Sequence, residues 1–471
     1  MKRSRLIWLI AAAMMALLVL AACGKTANNS APTVTVPEPT YSVSAYKSQG
    51  TYVEVQNQLS WEELNKIPIK TSTMTPREAR ELCITFFRYA KTACWIPDTT
   101  LEFVRNSKGS ADAMTKGQVY GGLPYVGLGS GNMYRLMDYM DPKTGVVDIT
   151  NAVDKEKPYD GWKLLGNQCS IGAYWGWGRV INSAKYTWTQ TMVEKNGFFR
   201  VGDYEYDLNL TRVGGKTNGV ENPNTVQILA DNGKERMYEA YAKIVAGDGL
   251  IYYTTAGHVI MAATDAHVEY VDGKIDPAHS FITIIDQGQT WEEDNNEQGD
   301  FLLYKGGVDV KKTFLDLFLG NYMPFTFGEF LGSDKIEITE AGFVLSDDTV
   351  CAKGTISETD RSFQNTAQAP ASISVEQLFG SVVTANYGIS DIYAIVYDSH
   401  GNEVYKHAVR ATTASTYKMT MIEKAKESAK VNTVEKWGTL AFEEGETYTV
   451  KIVTQLSTGE RPTLYTGTLT K

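Results

Sequence analysis

Two side chains in this sequence are of types, and in settings, suited to covalent chemistry: Cys169 and His258, 89 positions apart. Cys169 opens the run Cys169-Ser170-Ile171-Gly172-Ala173-Tyr174-Trp175-Gly176-Trp177, which predicts a helix beginning at the thiol. The thiolate is the nucleophilic form of cysteine, and a helix N-terminus stabilises negative charge and so lowers the thiol pKa. Gly172, Ala173 and Gly176 recur at one-turn spacing and would let that helix approach a sheet closely. Glycines in a helix cost roughly 1 kcal/mol each relative to alanine, so packing and not propensity dictates this segment. The plainer reading is that Cys169 is a small buried hydrophobe, as most free cysteines are. His258 lies in Ala256-Gly257-His258-Val259-Ile260-Met261, after a turn and at the start of an apolar strand, where an imidazole can face a cleft. Taken alone, a strand-end histidine is more often structural. Three of the five histidines, His258, His267 and His279, fall within 22 residues.

The remaining chemical candidates are weaker. Glu292–Asp300 is dense in oxygen ligands but lacks the EF-hand order, so a solvated acidic loop is expected and not a Ca²⁺ site. The histidines lack zinc-ligand intervals and no cysteine pair accompanies them, so neither a metal nor another cofactor is expected. The aromatic residues Tyr174, Trp175 and Trp177 are expected in a helix core and not along a substrate groove. No P-loop, dinucleotide fingerprint or serine nucleophile elbow is present.

Several elements must position the thiol and the imidazole. Thr75-Pro76-Arg77-Glu78 is a capping box with proline at the first helical position, and it predicts an amphipathic helix running to about Trp95. On such a helix Cys83 and Cys94 lie ~16 Å apart, too far for a disulfide, so free buried thiols are expected. A glycine- and tyrosine-rich loop follows (117–131), then a helical stretch ending near Met140. Residues 183–236 read as an insertion near the cleft. From Ile244 to Gln287 four short apolar runs (GLIYYT, HVIMAA, HVEYVDG, SFITIID) predict an antiparallel meander. Thr313–Met323 reads as an apolar helix-like run. From about Lys335 the pattern turns all-β. Lys335–Thr339, Ser374–Ala385, Asp391–Tyr397 and Glu403–Val409 are predicted strands, with a hairpin turn at 398–402. Glu444–Val450 resembles the tyrosine-corner segment of immunoglobulin-like sandwiches.

The chain has 471 residues, with 45 basic and 55 acidic side chains and a net charge of −10. That balance argues against a nucleic-acid partner, whose phosphates require a basic surface. Lys2, Arg3 and Arg5 precede an apolar run from Leu6 to Leu20, too short to span a bilayer comfortably and so read as a secretion signal. Leu20-Ala21-Ala22-Cys23 resembles the bacterial lipobox. The resemblance implies cleavage before Cys23 and diacylglycerol on its thiol, which would anchor the chain at the outer face of the cell membrane. Residues 24–45 are polar and proline-containing and read as a flexible tether.

Val245-Ala246-Gly247-Asp248 followed by Gly257-His258-Val259, downstream of a helix-opening cysteine, resembles the NlpC/P60 and CHAP group of papain-like cysteine hydrolases. The resemblance covers roughly residues 75–290. Tyr120-Gly121-Gly122-Leu123-Pro124-Tyr125 resembles the loop before that family's cysteine. Asn167-Gln168-Cys169-Ser170 is nearer the CHAP form, with glutamine before cysteine. The resemblance implies that Cys169 is the nucleophile and His258 the general base. Phe281–Gln287 resembles the CHAP strand ending in Glu-Gln, so Asp286 is the first choice for the residue that orients the imidazole. His267 is the alternative, followed by Gln287 and His279. The Cys169 amide with the Gln168 side chain, and Tyr120, are the candidate oxyanion and substrate groups.

The expected architecture is α+β: a papain-like domain with helices packed on an antiparallel sheet (46–332), then an immunoglobulin-like β-sandwich (333–471). They follow a signal peptide (1–22) and a lipidated tether (23–45). The expected function is that of a monomeric, membrane-anchored extracellular cysteine hydrolase acting on amide bonds of peptidoglycan. The alternative is a surface binding lipoprotein whose papain-like cleft has lost activity.

Overall fold

The computed structural model describes residues 59–105, 110–123, 125, 130–152, 166–183, 198–205, 212–217, 220–253, 257–288, 291–293, 301–304, 308–411, 416–421 and 446–470. The signal segment 1–22, Cys23, the tether to residue 45, most of the acidic loop 292–300 and the start of the tyrosine-corner segment lie outside the described residues, as do parts of 183–236. The fold is mixed α+β, with several antiparallel sheets.

The site rests on a six-stranded antiparallel sheet. Its strands run, edge to edge, Val310–Thr313, Phe281–Ile285, Gly257–Ala262, Gly249–Tyr253, Met323–Phe327 and Phe198–Arg200. Three of the four apolar runs of the expected meander contribute to it. The other, HVEYVDG, touches that sheet only at His267, which bridges Phe281; Tyr270–Val271 then pairs with Lys274–Ile275 in a separate hairpin. Asp272 and Gly273 turn that hairpin with φ of 54° and 77°, the positive values that two-residue turns require. Tyr270 and Val271 are both exposed, so the run has no apolar face to bury in the main sheet. Thr313–Met323 divides similarly. Thr313 and Asp316 cap a short helix, Phe314–Leu319, and the chain then returns as the buried strand Met323–Phe327.

The helix at Pro76 has the expected capping box, Thr75 with Glu78, but ends at Thr92. Cys94–Pro97 is a strand paired with Val119–Gly121 in a second, five-stranded sheet. Trp95 belongs to that sheet and not to the helix. Its indole packs on Tyr120 and donates to the Gly122 carbonyl at 3.0 Å, and Pro97 could not have continued a helix. Cys83 and Cys94 are both free and buried.

The helix Cys169–Trp177 lies between the long helix and the six-stranded sheet. A Cβ added at Gly172 would sit 3.0 Å from Gln287 Cβ, and one at Gly176 would sit 2.7 Å from Met261 Cε and 3.0 Å from Phe87 Cβ. The small residues are therefore set by close approach on two sides, as their spacing suggested.

Beyond Leu331 the expected strands shift. Lys335–Thr339 forms no strand, and pairing begins at Glu340–Val344. Ser374–Ala385 is interrupted, because Ser374 and Gln377 form a capping box that starts the short helix Val375–Leu378. The strand proper, Val382–Tyr397, pairs over its first part with Glu340–Val344 and Thr416–Thr420, and over its second with Glu403–Arg410 and Tyr448–Leu456. Register shifts near Ile389 bend it. The nine strands described in this region thereby join in one sheet that curls on itself.

Two hydrophobic cores result, one drawn from Leu59 to Ile336 and the other from Ala341 to Leu469. Arg135 ties them together. Its guanidinium meets Asp391 at 2.9 Å, with both side chains fully buried, and donates to the carbonyls of Ser390 and Ala411. Among the described residues no helix is long and apolar enough to cross a membrane.

Candidate functional site

His258 is the second residue of the strand Gly257–Ala262, and Asp286 follows directly on Phe281–Ile285. These strands pair with Met261 opposite Ile285. Continuing that register puts Asp286 opposite Ile260, hence diagonal to His258 on the same face, a spacing that polar side chains can bridge. The imidazole Nε2 meets Asp286 Oδ1 at 2.6 Å. An ionised carboxylate only accepts, so Nε2 carries the proton, and Nδ1 is left for the thiol. The Cys169 side chain hydrogen-bonds this same imidazole. Cysteine, histidine and aspartate, read from segments 89 and 28 residues apart, thus form one connected chain.

The electrostatics of that chain favour a charged imidazole beside the Asp286 carboxylate. Burial disfavours a charged imidazole, but the Asp286 carboxylate and the hydrogen-bonded Cys169 sulfur outweigh it, and the His258 pKa is raised to about 10. Three further thiols, Cys83, Cys94 and Cys351, are held protonated by burial. Burial pushes Cys94 up to about 12 and Cys351 up to about 11, and it drives Cys83 higher still. Cys169 itself is 4 % exposed, while the His258 and Asp286 side chains retain 22 % and 16 % exposure. The triad is reached from solvent along its imidazole and carboxylate side.

Gln168 is the N-cap residue of the cysteine helix, in extended backbone and with no side-chain cap bond, so its amide side chain is not spent on closing the helix. The other sequence candidates are placed elsewhere. His267 is bonded through its backbone to Phe281, packs its ring at a tilt on that ring, and directs Nε2 at Glu269. Exposed His279 bonds Asp276. Gln287 points to the opposite face of its strand from Asp286, as its neighbour must. It is 1 % exposed, accepts from Lys91 Nζ at 2.8 Å and donates to the Leu123 carbonyl at 3.1 Å. Tyr120 is 1 % exposed and accepts from the Thr115 amide at 2.8 Å, so it is part of the core and not a substrate-facing group. Asp248, from the motif that carried the resemblance, is also structural: it pairs with Arg80 at 2.6 Å inside the core.

Three site residues were not read from the sequence. Tyr252 stands directly opposite His258 in the strand register. Tyr322 packs against Tyr252, and its hydroxyl pKa is raised by burial and then by the charges of Asp286 and Cys169. Lys91, 2 % exposed, has its pKa lowered to about 8 by burial, with Asp286 opposing the shift. A lysine on the apolar side of the long helix was the one sequence signal for it. Tyr252 and Tyr322 came from runs that read only as strand or helix core. Among the described residues no group of three or more His, Cys, Asp or Glu side chains is arranged to hold a metal.

Comparison of the chain with protein-family models, with curated proteins and with solved structures gives no match.

Proposed function

We propose that this protein is a cysteine hydrolase that cleaves amide bonds through Cys169, His258 and Asp286. The observation that carries the reading is a single imidazole hydrogen-bonded to a helix-opening cysteine on one side and to an aspartate on the other. In the first step the Cys169 sulfur attacks the amide carbonyl carbon while the imidazolium gives its proton to the leaving amine. The C–N bond breaks and a thioester forms. In the second step the imidazole, now neutral, takes a proton from water, whose oxygen attacks the thioester. The acid departs and the thiol–imidazole pair is restored. Asp286 holds the ring in the required tautomer and stabilises its charged form. The backbone amide of Cys169, with the Gln168 side chain, is suited to the oxyanion.

The finer reading is a papain-like catalytic domain of the NlpC/P60–CHAP kind, with the curled sheet as an immunoglobulin-like spacer or wall-binding module. Lipidation at Cys23 would hold the enzyme at the outer face of the cell membrane, with stem peptides or cross-bridges of peptidoglycan as substrate. The lipobox resemblance and the sequence motif around His258 support this reading. The low exposure of Cys169 favours a second one, a surface protein that grips wall polymer without cleaving it.

The deciding experiment incubates the full chain in detergent micelles with purified peptidoglycan and follows soluble products by mass. Hydrolysis releases fragments carrying one added water and a new amine, and Cys169→Ala releases none. Equal release by Cys169→Ala removes the thiol mechanism. Retention on the wall without products, unchanged in Cys169→Ala, establishes the binding reading instead.

A further inference from the structure

A cavity of about 260 Å³ lies between the segment around Trp61 and the turn that carries Glu460, and none of its lining residues belongs to the triad. One wall is apolar, formed by Trp61, Leu64 and Ile67. The charged residues in the lining are three arginines, Arg179, Arg361 and Arg461, against a single acid, Glu460. In a chain of net charge −10, a positively lined hollow runs against the composition.

Arg361 is exposed and stands on a turn closed by a hydrogen bond from the Ser357 amide to the Ser362 carbonyl. Both acids of that turn are engaged elsewhere. Glu358 docks the turn by accepting from the Ser72 amide at 2.5 Å and the Ser72 hydroxyl at 2.9 Å, and Asp360 accepts from Ser362. Among the described residues the Arg361 guanidinium has no hydrogen-bond or ion-pair partner. Arg461 is 30 % exposed and lies over the Trp61 and Tyr393 rings at 5.8 and 4.5 Å. It meets Asp138 at 3.5 Å, a carboxylate that Arg410 shares at 3.6 Å. Arg179 is buried on the Phe86 ring and donates to the Tyr134 hydroxyl, with no carboxylate at ion-pair distance among the described residues. Its charge acts on the cavity through the protein and not through contact. Glu460 opposes it, but buried Lys70 already draws on the Glu460 charge.

The solvent-reachable groups, Arg361 and Arg461, are both cationic forks, so the complementary ligand is an oxyanion. A carboxylate has two oxygens in one plane and satisfies a single fork. A phosphate ester has three terminal oxygens set tetrahedrally and can meet forks from two separate segments at once. A monoester carries a charge of about −1.5 to −2 at pH 7, which matches three arginines against one glutamate. The apolar wall calls for carbon beside the phosphate. We propose that this cavity binds a phosphate monoester with a small carbon skeleton, its phosphate on Arg361 and Arg461 and its skeleton against Trp61 and Leu64. The volume suits a ligand of that size, just below the roughly 300–1,000 Å³ of pockets for drug-sized ligands. Nothing in this site depends on the chemistry at Cys169.

The test is calorimetric titration of the full chain in detergent, at constant ionic strength, with glycerol 3-phosphate, dihexanoyl phosphatidate and propionate. At least one of the two monoesters is expected to bind saturably with Kd at or below roughly 1 mM, and propionate about tenfold weaker or more. The two monoesters separate the sources: tighter phosphatidate binding points to a membrane headgroup, and equal or weaker binding to a soluble metabolite. Arg361→Ala alters an exposed, unpartnered side chain and is expected to weaken the better monoester about tenfold. Glu460→Gln keeps the shape and the bond from Thr339, and is expected to tighten it about threefold by removing the opposing charge. Both variants should give the wild-type circular dichroism. Absence of saturable heat with both monoesters overturns the proposal, as does propionate binding as tight as theirs. So does monoester binding that is unchanged in Arg361→Ala or weakened in Glu460→Gln.

Discussion

Replacing Asp286 by asparagine isolates the charge that organises the candidate site. Asparagine Oδ1 can still accept from His258 Nε2, so the 2.6 Å contact survives while the negative charge is lost. Two unit charges about 4 Å apart interact by about 4 kcal/mol at an effective dielectric constant near 20. That corresponds to roughly 3 pKa units at 1.36 kcal/mol per unit. The His258 pKa of about 10 is therefore expected to fall to about 7 in Asp286→Asn. The assay is the titration of the His258 ring carbon by NMR in chain labelled at its five histidines, with His258→Ala assigning the resonance. A consequence for stability has a definite sign. The folded pKa lies above the unfolded value of about 6.5, so the stabilisation is complete below pH ~6.5 and is lost as pH rises through about 10. Unfolding free energy of wild type relative to Asp286→Asn should therefore decline across that window. A wild-type midpoint near 6.5, or a midpoint unmoved by the substitution, refutes the reasoning.

Other perturbations test the same picture at different points. Iodoacetamide at pH 7 should label Cys169 in the native chain and leave Cys83, Cys94 and Cys351 unlabelled, because burial holds those three thiols protonated. Peptide mapping reads this, and His258→Ala should slow the labelling of Cys169 toward that of an ordinary thiol of pKa near 8.5. Lys91 has the opposite linkage to His258: its folded pKa of about 8 lies below its ordinary 10.5. Wild type should gain stability over Lys91→Met as pH rises from 8 to 10.5, by up to roughly 3 kcal/mol in denaturant titrations. Asp391→Ala strands the Arg135 guanidinium between the two cores and should cost about 3–5 kcal/mol in the same measurement. Gly176→Ala forces Met261 and Phe87 apart and should cost about 1–3 kcal/mol, with circular dichroism unchanged.

Local rules written in a few adjacent residues were legible in the sequence. The capping box at Thr75, the cysteine at a helix start, the close-packed glycines at 172 and 176, and the apolar runs around His258 all needed only nearest neighbours and a periodicity. The apolar run Phe281–Ile285 placed Asp286 at the end of a strand, though it could not say what the carboxylate would touch.

What the sequence could not decide was set by partners distant along the chain. The long helix stops at Thr92 because Trp95 is claimed by a strand more than twenty residues later, and HVEYVDG leaves the sheet because no apolar neighbour waits for it. Tyr322 reaches the site just before a strand, from a run read as helix, and Lys91 on the long helix is held by Gln287 from a strand almost two hundred residues later. The curled sheet follows from one strand long enough to serve two halves. Short-range spacing determines which residues can do chemistry and on what element they sit. Burial and pairing across the fold decide which of them meet, because the energy of a desolvated charge or an unpaired strand depends on what packs against it.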